Sequence, residues 1–469
     1  MALENTHFGY EGIREIMGDG PRSIFFLGIG GVSMNSLAQV CRMRGHTVAG
    51  YDRTESALTK RLEDEGVRVF YTASAENAAG CDLVVYTVAI PADDPVYVWA
   101  GNNGIPRISR ADFLGYVMKR YDVRIGISGM HGKSTTTAVV AEIFSAAGRE
   151  PTVFGGAKMA ATGETNVIGR EDYFIFEACE YMDSFLDFYP TVSVVLNVEM
   201  DHVDYFKDMD QIKNSFAGFI RRGRSAVING DCADALEAAR ASGRPFVTFG
   251  REGGEDYVAE NVTPFPGGSE FDIVRRGVKL CRARINVPGD HIVTDAVAAA
   301  AVSIECGVSP EAVAEGLGSY KGIRRRMERV GETKSGAAVF DDYAHHPTEV
   351  AATLKTAAKF GFDRLIVVFQ PHTFSRTFEL FDGFADALAK TGADEVILMP
   401  IYPARETNVY GVTSDQLAEA VAGRGTPARC LHSFGEAADE IREKYGRGDC
   451  VITVGAGDVE KLAPMLVQG

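Results

Sequence analysis

The stretch VRIGISGMHGKSTTTAVVAEIFSAAG, residues 123–148, decides the fold of this chain. An apolar strand at 123–129 runs into a glycine-containing turn, and the turn runs into a helix. From Gly129 to Ser134 the turn has the spacing G-x-x-G-K-[ST], a compact form of a phosphate-binding loop. The wider form G-x-x-x-x-G-K-[ST] does not fit, because Ile127 stands where it needs glycine. The stretch therefore predicts an α/β domain that holds a polyphosphate at a helix N-terminus.

This loop carries the groups that phosphate binding requires. Gly129 and Gly132 let backbone N–H groups approach phosphate oxygens closely. Lys133 can reach the outer phosphates, and the hydroxyl of Ser134 is a suitable ligand for Mg²⁺. A glycine-rich turn with a chance lysine is the alternative interpretation, and the agreement of strand, loop and helix argues against it.

A second glycine turn, LGIGGVSMNSLA at 27–38, also joins a strand to a helix. Asp52 ends the following strand, so the arrangement resembles a dinucleotide fingerprint in which Ser33 replaces the third glycine. Alone, the pattern predicts a diphosphate or nucleotide at this helix N-terminus. It leaves open an NAD-dependent oxidoreductase and a tight turn without a ligand, although a simple dehydrogenase has no need of the second phosphate site at Lys133.

Size and composition bound the class of protein. With 469 residues the chain is too long for one core of ordinary size, which predicts two to four domains. The formal net charge of -16 argues against broad binding of nucleic acid or of membrane surfaces. The 8 cysteines include no C-x-x-C pair and are interpreted as buried thiols in a reducing compartment. Since neither a signal-peptide pattern nor a run of about 18 apolar residues occurs, we expect a cytoplasmic protein without membrane insertion.

Short apolar strands alternate with helical stretches, which is typical of α/β domains with parallel sheets. Changes of pattern near residues 122 and 323 predict three domains, 1–121, 122–323 and 324–469. We expect Rossmann-like folds for the first and third domains and a P-loop ATPase-like fold for the central one. Residues 255–288 have the pattern of antiparallel strands, so the central parallel sheet is expected to carry a small antiparallel part. Residues 108–121 have the pattern of one helix.

Eight motifs occur in the order found in the Mur ligase family, and through them the chain resembles that family from about Phe26 to Asp458. The motifs are GIGGVSM, SGMHGKSTTT, FEACEYMDSF, LNVEMDHVDYF, RRRMERVG, DDYAHHPTEV, FQPHTFSRT and GAGD. The resemblance implies a first domain that holds the UDP part of a substrate, a second that holds ATP, and a third that closes over both. The motif FQPHTFSRT favours an alanine-adding member over a sister enzyme that adds a recycled tripeptide.

The resemblance also implies an activity. It is the ATP-dependent ligation of a small amino acid to the lactyl carboxylate of UDP-N-acetylmuramate through an acyl phosphate, in peptidoglycan precursor synthesis. ATP and Mg²⁺ are the implied cofactors, with Mn²⁺ able to substitute, and the implied state is a monomer or homodimer. Such chemistry needs positioning and charge neutralisation rather than a side-chain nucleophile.

The resemblance assigns roles to individual residues. The implied catalytic residues are Lys133, Glu177, His202, Arg326 and His346. The implied nucleotide-binding residues are Gly129, His131, Gly132, Lys133, Ser134, Thr135, His291, Asp295, Arg326 and Asp342. The implied substrate-binding residues are Gly28, Gly30, Gly31, Ser33, Met34, Asp52, His345, His346 and Arg376. The implied metal ligands are Ser134, Glu177 and His202, and Glu180 is a candidate for holding water or a second ion.

Several of these assignments have a plainer alternative. His202 could be a capping or core histidine, but its neighbours Asn197, Glu199, Asp201 and Asp204 favour a functional role. The basic run 324–331 could be a solvated linker, and Glu177 with Glu180 could be solvated acids at a strand end. His372 is expected beside Arg376 at the sheet edge, and Asp458 is a weaker candidate for accepting a hydrogen bond from an ammonium group.

Two departures from the family pattern bear on the nucleotide. The family loop usually reads GTHGKT, and here Met130 replaces the first threonine. The family segment G-x-H-N-x-x-N, which holds adenine, reads GDHIVTD, so Ile292 and Asp295 replace its two asparagines while His291 is kept. An ionised aspartate can only accept hydrogen bonds, whereas asparagine also donates them. We therefore hypothesise altered base selectivity and a divergent paralogue.

Overall fold

The computed structural model describes residues 3–202, 205–265, 267–404 and 406–468. Its strands form three separate sheets of five, ten and six strands, which follow one another along the chain. Helices cover the sheets, so the protein is a three-domain α/β protein, and the predicted fold class is confirmed. Within the described part of the chain, no helix combines the length and apolar character needed to cross a membrane.

The first sheet is parallel and Rossmann-like. Its strands are β1 (Ser23–Leu27), β2 (Thr47–Tyr51), β3 (Arg68–Phe70), β4 (Leu83–Tyr86) and β5 (Arg107–Ser109). They lie in the order β3-β2-β1-β4-β5. The helices are α1 (Gly9–Met17), α2 (Val32–Met43), α3 (Ala57–Asp64), α4 (Pro95–Asn102) and α5 (Arg110–Met118). The expectation of one helix over 108–121 is wrong at its start, because Ser109 ends β5 and its hydroxyl caps α5 by accepting from the N–H of Asp112 at 3.4 Å.

The central sheet combines parallel and antiparallel strands. Its strands are β6 (Val123–Ser128), β7 (Thr152–Phe154), β8 (Asn166–Val167), β9 (Tyr173–Glu177), β10 (Val192–Val195), β11 (Ser225–Asn229), β12 (Phe246–Gly250), β13 (Tyr257–Phe265), β14 (Gly268–Arg275) and β15 (Val278–Ile285). Their order is β15-β14-β13-β12-β11-β10-β6-β9-β7-β8. The pairs β13–β14 and β14–β15 are antiparallel, which confirms the small antiparallel part expected for 255–288.

Five helices accompany the central sheet. They are α6 (Lys133–Ala146), α7 (Met209–Arg222), α8 (Ala233–Ser242), α9 (Asp290–Glu305) and α10 (Pro310–Ser319). The alanine-rich helix α9 begins at Asp290, five residues before its apolar run suggests, and its alanines from Ala298 to Ala301 are fully buried. Small side chains allow α9 to contact α6 closely, which fixes the helix behind the phosphate loop.

The third sheet is parallel apart from its first strand. Its strands are β16 (Glu328–Glu332), β17 (Ala338–Asp342), β18 (Arg364–Phe369), β19 (Glu395–Leu398), β20 (Ala428–Cys430) and β21 (Asp449–Val454), in the order β16-β17-β21-β18-β19-β20. The helices are α11 (Pro347–Ala357), α12 (Phe374–Glu379), α13 (Phe381–Ala389), α14 (Ser414–Gly423), α15 (Phe434–Lys444) and α16 (Leu462–Gln468). The basic run at 324–331 is therefore no free linker, because it enters β16, which pairs with β17.

The topology brings functional side chains to one place. Strands β10, β6 and β9 are neighbours and parallel, so the segments after their carboxyl ends share one edge of the central sheet. These segments carry the phosphate loop, FEACEYMDSF and LNVEMDH. The carboxyl end of β17 and the start of α11 face the same edge from the third domain, as the contacts below show. The site thus lies between two domains. On the central domain it is at the carboxyl ends of parallel strands, where α/β sheets usually bind ligands.

Candidate active site

The phosphate loop connects β6 to α6. Gly132 precedes the helix with φ of 81°, and α6 has no side-chain cap among the described residues. The first N–H groups of the helix are therefore available to an anion. A Cβ at Gly132 would lie 2.6 Å from Asp295 Oδ1, and one at Gly129 would lie 2.9 Å from Leu196 Cβ. Both positions require glycine.

Lys133 bends back over its own loop. Its Nζ donates to the carbonyl of Gly129 at 2.5 Å and to both carboxylate oxygens of Glu180 at 3.1 and 3.0 Å. Burial disfavours the ammonium, but the carboxylates of Glu180 and Glu177 outweigh it and raise the pKa of Lys133. The lysine is therefore a permanently charged group at the centre of the loop, positioned to exchange these contacts for phosphate oxygens.

Ser134 and Glu177 form an oxygen pair beside the loop. The Ser134 hydroxyl donates to Glu177 Oε2 at 2.8 Å. Gly156 leaves the neighbouring space open, because a Cβ there would lie 2.7 Å from Ser134 Oγ and would also collide with Glu177. A hydroxyl, a carboxylate and adjoining free space fit Mg²⁺, which prefers oxygen ligands and retains several waters.

The third predicted metal ligand, His202, contacts Glu180, which also accepts from Lys133. His202 Nε2 lies 3.2 Å from Glu180 Oε1, and its ring lies 4.8 Å from the ring of Tyr181. His202 has φ of 52°, and its backbone N–H donates to Asp201 Oδ1 at 2.7 Å. The left-handed conformation turns the ring towards Glu180, so this carboxylate joins lysine and histidine. Asp204, expected near His202, lies outside the described residues.

Asn197 and Glu199, in the segment that follows β10, contact the phosphate loop. Asn197 accepts from the N–H of His131 at 2.8 Å and donates to the carbonyl of His131 at 3.1 Å. Glu199 lies 3.6 Å from His131 Nε2 and accepts from the hydroxyl of Thr348 at 2.9 Å. Asn197 therefore fixes the loop backbone, and Glu199 connects the loop to α11 of the third domain.

Glu349 on α11 joins the loop to the third domain. Its Oε1 lies 3.2 Å from His131 Nδ1 and 3.5 Å from Arg326 Nη1, and its Oε2 accepts from the backbone N–H of His345 at 3.0 Å. Burial disfavours the charged form of His131, but Glu349 and Glu199 outweigh it and raise its pKa to about 9. An ion-pair network therefore links the phosphate loop to the domain that faces it.

A cleft of about 200 Å³ lies between the loop, α9 and the third domain. Seven of the ten predicted nucleotide-binding residues line it, namely His131, Gly132, Thr135, His291, Asp295, Arg326 and Asp342. Asn229 and Phe249, at the ends of β11 and β12, complete the wall. The volume and the mixture of flat apolar and polar groups suit a nucleobase.

Asp295 and Asp342, the two predicted nucleotide-binding acids in this cleft, have properties that the sequence does not suggest. Burial raises the pKa of Asp295 to about 8, although Arg326 and Thr136 oppose the shift. At neutral pH this side chain is therefore mostly a neutral acid that can donate as well as accept. Asp342 is already occupied, because its carboxylate accepts from the N–H groups of Met327 and Ala344 at 2.7 and 2.9 Å.

The two adjacent histidines take different positions. His346 caps α11, with Nδ1 3.4 Å from the N–H of Thr348, and its ring lies 4.8 Å from the ring of His131. His345 lines the larger cavity described below, and burial lowers its pKa to about 4. Burial lowers the pKa of His346 as well, so both imidazoles favour the neutral form; His345 lines the larger cavity, whereas His346 supports the domain contact.

The predicted carboxylate-binding residue Arg376 is already paired. Its Nε and Nη2 donate to Asp201 Oδ1 at 3.2 and 3.1 Å, and Nη1 lies 3.2 Å from His372 Nδ1. Asp458 accepts from the side-chain amide of Gln370 at 2.9 Å. The expected neighbourhood of Arg376 and His372 is present, and Asp201 is its additional member.

A cavity of about 730 Å³ contains most of these groups. From the central domain it is lined by Lys133, Ser134, Gly156, Glu177, Glu180, Asp201 and His202, and from the third domain by Arg326, Tyr343, His345 and Glu349, among others. The cavity therefore joins the phosphate loop, the oxygen pair and the group around Asp201 in a space large enough for several reactants.

The glycine turn of the first domain lies outside both cavities. The N–H of Gly30 donates to Asp52 Oδ2 at 2.9 Å, and the hydroxyl of Ser33 accepts from Arg110 at 3.4 Å. Gly28 has φ of 85°, and Gly31 precedes α2 without a side-chain cap in the described chain. The side chain of Met34 is 2% exposed and belongs to the core, and the role of this residue in substrate binding stays a prediction.

Sequence analysis misses several residues of the site, among them Glu349 and Gly156. Glu349 lies inside the motif DDYAHHPTEV, and a carboxylate in the first turn of α11 reads as a favourable helix start rather than as a bridge. Gly156 lies in FGGAK, where only the approach of Ser134 and Glu177 shows its purpose. In both cases the signal is a contact between segments far apart in sequence.

The fold and the site define a class of protein, a nucleotide-dependent enzyme whose phosphate loop is faced by a third domain. Three family models match the chain in succession: the Mur ligase family, catalytic domain, at 23–122; the Mur ligase middle domain at 127–303; and the Mur ligase, glutamate ligase domain, at 325–457. The chain belongs to the Mur ligase family. The alternative interpretation of the sequence, an NAD-dependent oxidoreductase, is therefore wrong.

Relatives resemble the chain over nearly their whole length. A UDP-N-acetylmuramate–L-alanine ligase of Agathobacter rectalis is 40% identical over 453 residues, which are 96% of this chain and 98% of the relative. The enzyme with the same name from Clostridium acetobutylicum is 39% identical over 458 residues, covering 97% and 99%. The crystal structure of UDP-N-acetylmuramate-alanine ligase from Thermotoga maritima has a TM-score of 0.79 at 26% identity, covering 95% and 98%.

Proposed function

We propose that this protein joins L-alanine to the lactyl carboxylate of UDP-N-acetylmuramate, with ATP and Mg²⁺, in the cytoplasmic synthesis of peptidoglycan precursors. One observation carries the proposal: relatives of that name match nearly the whole chain at about 40% identity. The site supports it, because the phosphate loop and a cluster of cationic and imidazole groups open into one cavity.

The first step activates the carboxylate. A carboxylate oxygen attacks the γ-phosphorus of ATP, the bond to the bridging oxygen breaks, and ADP leaves behind an acyl phosphate. Lys133 and the loop N–H groups hold the phosphates, and Arg326 approaches them from the third domain. Ser134 and Glu177 would hold Mg²⁺, which supplies charge neutralisation on the phosphate oxygens.

The second step forms the amide. L-alanine first loses its ammonium proton to solvent. The free amine then attacks the acyl carbon, the carbon–oxygen bond to phosphate breaks, and the departing phosphate takes up the proton that the nitrogen gives up. The contacts of Glu349 with His131 and Arg326 hold the third domain over the cavity. Exclusion of water protects the acyl phosphate from hydrolysis.

An assay of phosphate release tests this function. Purified protein receives ATP, Mg²⁺ and UDP-N-acetylmuramate with L-alanine, glycine, L-serine or the tripeptide L-Ala-γ-D-Glu-meso-diaminopimelate. We expect release that depends on all components and has its highest kcat/KM with L-alanine. Release supported by the tripeptide but not by free amino acids would instead identify the sister activity, and no release at all would contradict a ligase.

A further inference from the structure

An ion pair between two domains lies at the larger cavity, which its Asp201 member lines. Asp201, in the segment after β10, faces Arg376, in α12 of the third domain. Both side chains are nearly buried, with 6% and 11% of their surfaces exposed. Asp201 lines the cavity beside His202 and His345. A buried interdomain ion pair next to the reaction space is therefore accessible to a substrate from one side.

The pair uses only part of its bonding capacity. Both guanidinium contacts end on Oδ1 of Asp201, as does the backbone N–H of His202. Oδ2 accepts no hydrogen bond from any residue that the structure describes. The carboxylate thus retains one free oxygen towards the cavity, and Arg376 retains donors that His372 and Asp201 do not engage.

A second arginine–aspartate pair lies inside the third domain. It is saturated in the sense that both of its carboxylate oxygens accept hydrogen bonds from the arginine. Arg364 donates from Nε to Asp449 Oδ1 and from Nη2 to Asp449 Oδ2, each at 2.7 Å. This two-oxygen fork joins the starts of β18 and β21, at the edge of the sheet opposite the site. Compared with it, the pair of Asp201 and Arg376 is longer and one-sided, which indicates a contact that can be opened.

We propose that the incoming amino acid inserts into this pair, with its amine bound by Asp201 and its carboxylate by Arg376. The inference rests on the proposed function and assigns to Asp201 a substrate-binding role. A zwitterion is suited to this exchange, because it replaces one buried ion pair by two without changing the net charge of the site.

The surroundings favour a carboxylate that orients the amine and does not remove its proton. Arg376 donates to Asp201 from two nitrogens, and the backbone N–H of His202 donates to the same oxygen, which favours the charged carboxylate. Asp201 therefore stays ionised and accepts a hydrogen bond at a fixed place. His345 lines the cavity and His372 contacts Arg376, and burial lowers the pKa of both to about 4, so they add no competing charge.

The test compares Asp201→Asn with Asp449→Asn, which removes the carboxylate from the saturated pair. Asparagine keeps an acceptor for Arg376 but loses the charge that binds an ammonium group. Steady-state kinetics with L-alanine, ATP and UDP-N-acetylmuramate varied in turn should show a KM for L-alanine raised on the order of ten- to a hundredfold in Asp201→Asn. The other two KM values, and all three in Asp449→Asn, should stay close to wild type.

The outcomes separate this inference from the proposed function. Wild-type protein without alanine-dependent phosphate release would overturn the function itself. An active wild type together with an unchanged KM for L-alanine in Asp201→Asn, or a rise of all three KM values together, would overturn the role of Asp201. Asp201→Glu, which keeps the charge, should recover part of the affinity for L-alanine, and thermal unfolding of each variant shows that it is folded.

Discussion

The two glycine turns of this chain have the same backbone plan and different chemical contents. Each joins a parallel strand to a helix whose first N–H groups carry no side-chain cap in the described structure. In the first turn the nearest charged group is the Asp52 carboxylate, which accepts from the N–H of Gly30. In the second turn Lys133 and Ser134 open the helix, and Glu177 and Glu180 face them.

A helix N-terminus alone can bind an anion, but transfer of a phosphoryl group also needs charged side chains and metal ligands around it. The second loop adds a cation for the transferred charge and oxygen ligands for a metal ion. It is also in contact with the third domain through Glu349, whereas the first turn is in contact with the central domain through Asn166, whose side-chain amide donates to the Val32 carbonyl and the Ser36 hydroxyl. We therefore expect the first turn to hold a substrate and the second to activate it.

Removal of the lysine tests the most prominent part of this contrast. We expect Lys133→Ala to lower turnover on the order of a thousandfold, because the transferred phosphoryl group loses its buried cation. Binding of UDP-N-acetylmuramate, measured by calorimetry, should be unchanged, since the first turn is intact. Lys213→Ala on α7, which removes a lysine paired with Glu237 at 2.9 Å, is the control. Turnover near the wild-type rate in Lys133→Ala would contradict the assignment.

A pH titration tests the link between the second loop and the third domain. The pKa of His131 rises from 6.5 to about 9, because Glu349 and Glu199 outweigh the opposing effect of burial. A raised pKa means that the charged form stabilises the folded state. This contribution is complete below pH 6.5 and is lost as the pH rises through 9, and it amounts to no more than about 3 kcal/mol.

The measurement compares wild type with His131→Gln by thermal unfolding at pH values from 6 to 9.5. We expect the wild type to be more stable at pH 6 and the difference to disappear near pH 9.5. Glu349→Gln is the matched control, because it removes one of the two carboxylate partners and should reduce the same pH dependence. A difference between the proteins that stays constant with pH would exclude the link.

Local patterns predict the two turns well, because each is encoded in consecutive residues. The spacing from Gly129 to Ser134 and the strand before it are sufficient to place the loop at a helix start. The parallel sheets are predicted from the alternation of strands and helices along the chain. The short strand β5 is missed, because its three residues directly precede a helix and are too few to show the alternation typical of a strand. The predicted domain boundaries at 121/122 and 323/324 stay predictions.

Contacts between distant segments could not be predicted in the same way. Asp201 and Arg376 are 175 residues apart, and no periodicity relates them. The state of Asp295 depends on burial behind Gly132, which raises its pKa and gives it the donor that the sequence denies an aspartate. The hypothesis of altered base selectivity therefore loses part of its physical basis at neutral pH.

Paired glycine substitutions sharpen the division of labour between the turns. Gly132→Ala places a side chain at φ of 81° and 2.6 Å from Asp295, and Gly28→Ala does so at φ of 85° and 2.8 Å from Thr87. We expect each to cost about 1–2 kcal/mol locally, and hence about tenfold in the affinity of its own ligand. Calorimetry should show Gly132→Ala weakening a non-hydrolysable ATP analogue and Gly28→Ala weakening UDP-N-acetylmuramate.

The control for this pair is Gly45→Ala, which has φ of 83° and no neighbouring atom within 4 Å. It carries the same backbone strain without a ligand and should affect neither affinity. If either glycine variant weakened both ligands equally, the two turns would not act separately.

The smallest expected effect concerns the base cleft beside the second loop. Burial raises the pKa of Asp295 to about 8 against the opposing effects of Arg326 and Thr136, so the side chain gains its negative charge only above that pH. A new charge beside the phosphate loop repels the triphosphate, and we expect the KM for ATP to rise about two- to fivefold between pH 7 and 9. Asp295→Asn, which cannot ionise, should remove this part of the pH dependence.

A comparison of ATP, GTP and UTP as phosphoryl donors tests base selectivity in the same cleft. If wild type and Asp295→Asn prefer ATP equally strongly at pH 7, the result supports a neutral Asp295. Equal use of the three nucleotides would instead show that the loss of the asparagines has removed base recognition.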